Sequence, residues 1–403
     1  MSTNIMKFNP FSQEFKDNPL EILDFFRRKD PIHFFQSEEF GNQRSWLITR
    51  YEDAELLLKD SRLVVDPRGI LPEEVERGFF PTPELKLLSD NLLSKDGEDH
   101  MRLRKLVQKA FTPQMILKLT NQIEEICNEL VNSMEGKKTI DLMEEYARPL
   151  PIAVISKVLG VPSEDYDLFT EWANVLTDSS AQNLEIITPK LREFIAYLDG
   201  IIEEKRKCQT GDLISELVKE INNDKLHKSE LYSMIFFLIV AGYDTTVNLI
   251  GNGMLNLLRN PVEYTFLKNN PETIESAIEE LLRTSSPILL SKGRWAKESF
   301  EYKSFEILKG DVVIVSNAAA NHDPVKFENP YSLNLKRINN KHLSFGKGEH
   351  HCLGAFLARL ESKIAFLTLI NRLPTIELSV DLKEIMWRDS PMIRSLEKLP
   401  ITI

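Results

Sequence analysis

A mainly α protein is what this sequence predicts: a helical body carrying a small β-rich annex assembled from both ends of the chain. Three observations lead there. Apolar residues recur three and four apart along most of the chain of 403 residues, the spacing of a one-sided helix. The β signals are short and sit towards the two ends. The segment Ser229–Asn260 is apolar on nearly every face in its middle, as a helix running through a core must be. No Gly/Ser-rich or Pro-rich linker and no internal repeat divides the sequence, so residues 1–403 are expected to form a single domain.

Taken in order, "SWLITRY" at 45–51 reads as an early strand. Helical periodicity then runs from "LLSKDGEDHMRLRKLVQKAF" (92–111) through "TNQIEEICNELVNSME" (120–135), and returns in "LREFIAYLDGIIEEKRK" (191–207). The long segment closes at Asn260-Pro261, because proline cannot continue a helix from that position. "PETIESAIEELLRTSS" (271–286) is helical again, and "SFEYKSFEIL" and "DVVIVS" read as strands joined by a hairpin-like turn at Lys309-Gly310. "LGAFLARLESKIAFLTLINRL" (353–373) gives a last helix and "TIELSV" (375–380) a late strand.

Composition narrows the function. The net charge of −11 repels nucleic acid and anionic membranes, so neither is an expected partner. "MSTNIMKFNPFSQEF" holds no basic stretch followed by an apolar one, and the most apolar run, "MIFFLIVAG", falls short of a spanning segment; a cytoplasmic protein without a membrane anchor is expected. Cys127, Cys208 and Cys352 lie far apart and give no disulfide framework.

The stretch "LSFGKGEHHCLGAFLARLE" (343–361) carries the chemistry. Leu353, Leu357, Leu360, Ile364 and Leu367 repeat in steps of four and three, which puts Cys352 at a helix N-terminus behind a glycine-rich loop. Free N–H groups and the positive dipole end favour a thiolate there, and Gly346, Gly348 and Gly354 leave room for a flat ligand. Zinc would require four converging ligands, whereas His350, His351 and Cys352 are consecutive and no partner set occurs elsewhere. Upstream, "AGYDTT" (241–246) puts Asp244 and two hydroxyls directly after the apolar run of the long segment. Taken alone, it reads as a buried acid beside threonines bonded back to the preceding turn. "EELLR" sets Glu280 and Arg283 at i,i+3, ordinarily a solvated helix face.

Together these motifs resemble the cytochrome P450 family. Phe345, Gly348, His350, Cys352 and Gly354 are similar to its cysteine loop, "AGYDTT" to its central-helix acid-alcohol motif, and "EELLR" to its Glu-x-x-Arg; the signatures span His100 to Glu361 in the family's order. The resemblance implies haem b (iron protoporphyrin IX) with Cys352 as its axial ligand. It further implies propionate partners at His100, Arg104, Arg294 and His350, proton delivery by Asp244 and Thr245, and a structural triad of Glu280, Arg283 and Arg337. His342 is expected to make a loop hydrogen bond. His351 stands at a position the family leaves variable, where it either faces the solvated proximal surface or tunes the hydrogen bonding of the sulfur; His322 stands where relatives commonly have arginine, and little effect is expected from it.

The implied activity is oxygenation of a lipophilic small molecule, with the phrasing closest to the bacterial branch that tailors polyketides and other secondary metabolites. Val240, Ala241, Leu289, Leu290 and Ile393 are the expected pocket residues, within variable segments that include 64–91 and 172–187. The substrate could arrive free or tethered to a carrier protein. The chain has neither a GxGxxG fingerprint nor a cluster-binding cysteine set, so electrons are expected from a ferredoxin or flavodoxin with a flavoprotein reductase. Arg102, Lys105 and Lys109 form a basic stripe for docking it, and a monomer is expected. Two rivals share the fold: a peroxide-driven peroxygenase and a haem-thiolate sensor that never turns over. Retention of Asp244 and Thr245 speaks against both, since neither needs a proton relay.

Overall fold

The computed structural model describes residues 7–36, 42–71, 81–177, 184–223, 225–373 and 375–403. Its axis is the helix Lys228–Arg259, within a residue of where periodicity and Asn260-Pro261 place it. The N-terminus is closed by a capping box, in which the Glu230 side chain accepts the N–H of His227 at 2.9 Å. By length and composition this helix could cross a membrane, yet two thirds of its most apolar window (67%) is buried inside the protein. It packs against the helices Pro83–Ser89, Pro149–Leu159 and Ala355–Arg372. Each fully buried Leu, Ile or Phe in such contacts contributes about 1.5–3 kcal/mol.

The last contact matters for the site, because Ala355–Arg372 follows the cysteine loop. A Cβ at Gly253 would lie 2.7 Å from Phe366 Cζ, so the two helices approach this closely only because residue 253 has no side chain. Loop and long helix are thereby held in one rigid frame.

The periodic run predicted from 92 to 135 is broken. A short 3-10 turn Leu92–Ser94 precedes the helix Gly97–Gln108, and Pro113–Leu117 and Thr120–Asn132 follow. Thr112 ends the continuity: its hydroxyl accepts the Met115 N–H as an N-cap, and Pro113 has no N–H to give to a preceding turn.

The β annex contains a five-stranded sheet, in the order Ile32–Phe35, Ser45–Ile48, Val312–Val315, Arg294–Ala296, Leu63–Val64. Trp46 pairs with Val313 in parallel and Arg294 with Val313 in antiparallel register, so both ends of the chain do build it. Two expectations are corrected. The three-stranded sheet of Thr139–Asp141, Pro400–Thr402 and Glu377–Leu378 also recruits the middle of the chain. The hairpin is formed within "SFEYKSFEIL" itself, Phe300–Tyr302 against Phe305–Ile307, and turns at Lys303, whose φ of 54° is left-handed. Lys309-Gly310 turns the chain again, but Val312–Val315 goes on to pair with Ser45–Ile48.

Candidate functional site

Between the long helix and the cysteine loop lies a cavity of about 400 Å³. One helical stripe faces it: Phe237, Leu238, Ala241, Gly242, Thr245, Thr246 and Leu249, spaced as a single helix face requires. The loop contributes Phe345, Gly346, His350, His351, Cys352 and Gly354. Among the expected pocket residues, Ala241, Leu290 and Ile393 line the cavity. Val240 and Leu289 do not. Val240 falls off the stripe by one helical step, and Leu289 points the other way along an extended run, packing in the core with Phe15, Phe26 and Leu47. The parts of the expected variable segments at 72–80 and 178–183 lie outside the described residues.

Cys352 stands two residues before the N-cap Gly354 of the helix Ala355–Arg372, and its N–H donates to Phe345 O at 2.9 Å. Its exposed surface belongs to the cavity wall. Burial pushes the thiol up, against the Gly354 N–H, Arg104 and Arg359, which pull it down. The helix-end effect expected from sequence is therefore present but outweighed by desolvation, and a coordinated metal would be needed to deprotonate this sulfur outright. Gly348 serves the loop rather than a ligand: its φ is +77°, and a Cβ would lie 2.7 Å from Leu58 O. At Gly354 a Cβ would meet nothing within 4 Å.

The cavity rim collects cations. Arg294 is buried and donates from Nη1 to Leu58 O at 2.7 Å, and Arg104 donates from Nη2 to His351 O at 2.9 Å. Both line the cavity, and both hydrogen bonds end on neutral carbonyls. His100, 1% exposed, lies 4.4 Å from the His350 ring; its Nδ1 is 3.0 Å from Glu349 Oε1 in poor hydrogen-bond geometry, and its Nε2 has no partner. Burial, then His350, lowers the pKa of His100. His350 Nε2 reaches Asp96 Oδ1 at 3.3 Å. Two guanidinium groups that make no ion pair among the described residues, and a buried imidazole nitrogen with no hydrogen-bond partner among them, make a rim suited to a dianion. A flat macrocycle with two carboxylates and a thiolate-bound metal fits these residues.

Thr245 and Asp244 diverge. Thr245 faces the cavity while its Oγ1 donates to Ala241 O at 2.7 Å, the back-bond that a threonine within a helix makes by itself. Asp244 is 6% exposed and turned away from the cavity, towards Asn248 Nδ2 at 3.3 Å and Arg388 Nη1 at 3.9 Å. Burial raises its pKa, with Arg388, Asn248 and Arg148 opposing.

The triad comes together as expected. Arg283 donates from Nε and Nη2 to both oxygens of Glu280 at 2.8 Å, and Arg337 Nε lies 3.1 and 3.0 Å from the same two oxygens. Asn340 and the Asn334 N–H complete the shell, and Arg283 Nη1 also donates to Asn321 O and Pro330 O. His342 Nδ1 accepts the Ser344 N–H, the loop bond expected of it. His322 is a buried core residue, its Nδ1 2.8 Å from Ala318 O.

The basic stripe is weaker than its sequence. Arg102 is paired with Glu230 and Asp99, and Lys109 lies 3.8 Å from Glu220, which leaves Lys105 exposed as its freest charge. Two charged residues that line the cavity, Lys292 and Glu361, were not singled out from sequence, nor was Arg388, which faces Asp244. Lys292 sits two before Arg294 in an extended run, where alternation could have flagged it. Glu361 lies nine residues after Cys352, on the cavity side of its helix, and Arg388 comes from a loop with no periodic signal.

The family model described as Cytochrome P450 matches residues 268–385. The chain is 44% identical over 400 residues to the polyketide biosynthesis cytochrome P450 PksS of Bacillus subtilis (strain 168), covering 99% of each. It superposes on the solved structure of PksS from the Bacillus subtilis 168 bacillaene polyketide synthase with a TM-score of 0.91, covering 98% of this chain and 99% of that one. The myxobacterial cytochrome P450 CYP267B1, solved with myristic acid, is 38% identical with a TM-score of 0.90, over 97% and 98% of the two chains. P450BioI, solved with an acyl carrier protein bearing hexadec-9Z-enoic acid, is 34% identical with a TM-score of 0.88, over 97% and 100%.

Proposed function

The chain belongs to the cytochrome P450 family, and from that premise we propose that its 403 residues act as one cytoplasmic monooxygenase domain for a lipophilic, polyketide-type small molecule. It is a haem monooxygenase with haem b as cofactor. One observation carries the residue assignment: Cys352, the cations Arg104 and Arg294, and Thr245 all line a single cavity.

In this reading Cys352 would ligate the haem iron through its sulfur, and His100, Arg104, Arg294 and His350 would hold the two propionates. The haem so bound supplies oxygen activation, favoured by the electron density of its thiolate ligand. The chain does the rest. The stripe of apolar and small residues from Phe237 to Leu249 holds substrate away from bulk water. The Thr245 hydroxyl delivers protons within the cavity, and Asp244, whose raised pKa keeps it ready to carry one, resupplies them from the side of Arg388 and Arg148. Glu280, Arg283 and Arg337 touch no substrate; they fix the loop that presents Cys352. A relay of this kind has no purpose in a sensor or a peroxide-driven enzyme.

Family members of this bacterial type take electrons from separate redox partners. Here a ferredoxin or flavodoxin with its reductase would dock near exposed Lys105; unchanged salt dependence of electron transfer in Lys105→Glu would dismiss that site. The resemblance to PksS favours a polyketide-type substrate, and the carrier-bound complex of P450BioI makes a carrier-tethered substrate worth testing alongside free ones.

The test is turnover of free and carrier-tethered polyketides under labelled dioxygen with a surrogate ferredoxin and reductase. The expected product gains one labelled oxygen atom. Incorporation only from added peroxide would overturn the dioxygen-dependent reading.

A further inference from the structure

Ile288, Leu290, Lys292 and Arg294, with Pro287 and Ser291 beside them, line the cavity along the run that enters the sheet. Lys292 is out of place among apolar neighbours such as Leu93, Leu290 and Ile393. Its Nζ donates to Leu93 O at 2.9 Å, which uses one of three ammonium donors. The acids whose field it feels are engaged elsewhere: Asp96 accepts from the Val65 and Asp66 N–H groups and faces His350, and Asp66 is paired with Arg68. Burial pushes the ammonium down to about 8, while Asp96 and Asp66 hold it up, so most of it is still charged at neutral pH.

The charges that line the cavity do not balance by themselves, although Asp96 and Glu349 act on Arg294 from outside the lining. Arg104, Lys292 and Arg294 line the cavity as cations, and the lining acid Glu361 is held protonated by burial at neutral pH. Two propionates match Arg104 and Arg294, assisted by His100 and His350. Lys292 is left over, bonded to Leu93 O in the same cavity wall.

We propose that Lys292 anchors a carboxylate of the substrate, so that this chain selects lipophilic carboxylic acids over their neutral counterparts. The inference rests on the monooxygenase reading and names the substrate class for the same cavity. A propionate of the cofactor could supply the same chemistry, and the experiment separates the two sources.

Haem-loaded wild type, Lys292→Met and Lys292→Arg are titrated at pH 7 with tetradecanoic acid, its methyl ester and 1-tetradecanol, following the substrate-induced spin shift. The carbon monoxide complex of each preparation is recorded first, so that failure of the haem-thiolate reading shows itself separately. Wild type is expected to bind the acid at least about tenfold more tightly than the ester, the scale of one charged hydrogen bond. Lys292→Met should lose that preference with ester affinity unchanged, and Lys292→Arg should keep most of it. Equal affinity of wild type for acid and ester overturns the proposal. So does a Lys292→Met protein that retains the preference, or one that loses haem while the acid-to-ester ratio stays as in wild type, which would assign Lys292 to a propionate.

Discussion

Two groups of charge in this protein behave in opposite ways. Around Glu280, both carboxylate oxygens are covered by Arg283, Arg337, Asn340 and a backbone N–H, and both members of the Glu280–Arg283 pair have 0% side-chain exposure. Around the cavity, among the described residues, Arg104, Arg294 and Lys292 hydrogen-bond to carbonyls and His100 Nε2 has no hydrogen-bond partner. Both groups desolvate charge, which is costly unless the charge is compensated. The first is compensated from within the chain and is therefore structural; the second awaits carboxylates from outside, which marks it as a binding site.

The largest test breaks the compensated group. Glu280→Gln leaves two buried guanidinium groups facing a neutral amide and should cost about 3–5 kcal/mol, read as a large fall in Tm or in soluble yield. Arg294→Leu should do the reverse. It removes a cation that makes no ion pair among the described residues, so the fold should survive with little loss of Tm in haem-free protein, while haem content after purification falls severalfold. Equal loss of fold in both variants would erase the distinction between the two groups.

Much of this contrast was legible before the fold was known. Cys352, Glu280, Arg283 and the core placement of Ser229–Asn260 are written in short-range spacing, because a helix or a loop motif fixes them locally. What stayed hidden is long-range. Whether Arg102 is a free surface charge depends on Glu230, which lies 128 residues away. Leu289 and Leu290 look alike in sequence and share one core, and only the fold shows that Leu290 also lines the cavity. The thiol of Cys352 was read from its helix end, but burial by distant elements sets the sign of its shift.

A smaller effect is expected at Thr245, where the comparison turns on a hydroxyl rather than a charge. Thr245→Ala removes one hydrogen bond to Ala241 O, a modest stability change of about 1 kcal/mol. Coupling should suffer far more: with reductase present, NADH oxidation continues while peroxide accumulates in place of product. Equal coupling in mutant and wild type would make Thr245 a structural hydroxyl only.

Glu361 sharpens the comparison from the acid side, as a buried carboxyl with Oε1 unpartnered and a pKa pushed up to about 8 by burial. Between the ordinary carboxylate range and pH 8 the folded protein keeps this proton while the unfolded chain has lost it. Stability therefore falls as pH rises through that window. Glu361→Gln should show a smaller drop in Tm between pH 5 and pH 8 than wild type. An identical pH dependence would mean that the carboxyl is compensated after all.

The central claim is that the cation-rimmed cavity is the haem site and that Cys352 supplies its thiolate. The most direct measurement is the absorption spectrum of the purified haem-containing protein, reduced and exposed to carbon monoxide, beside that of Cys352→His. The account predicts a strongly red-shifted Soret band in wild type and its loss in the variant. A haem-containing wild type without the red shift, or a variant that keeps it, would contradict the claim.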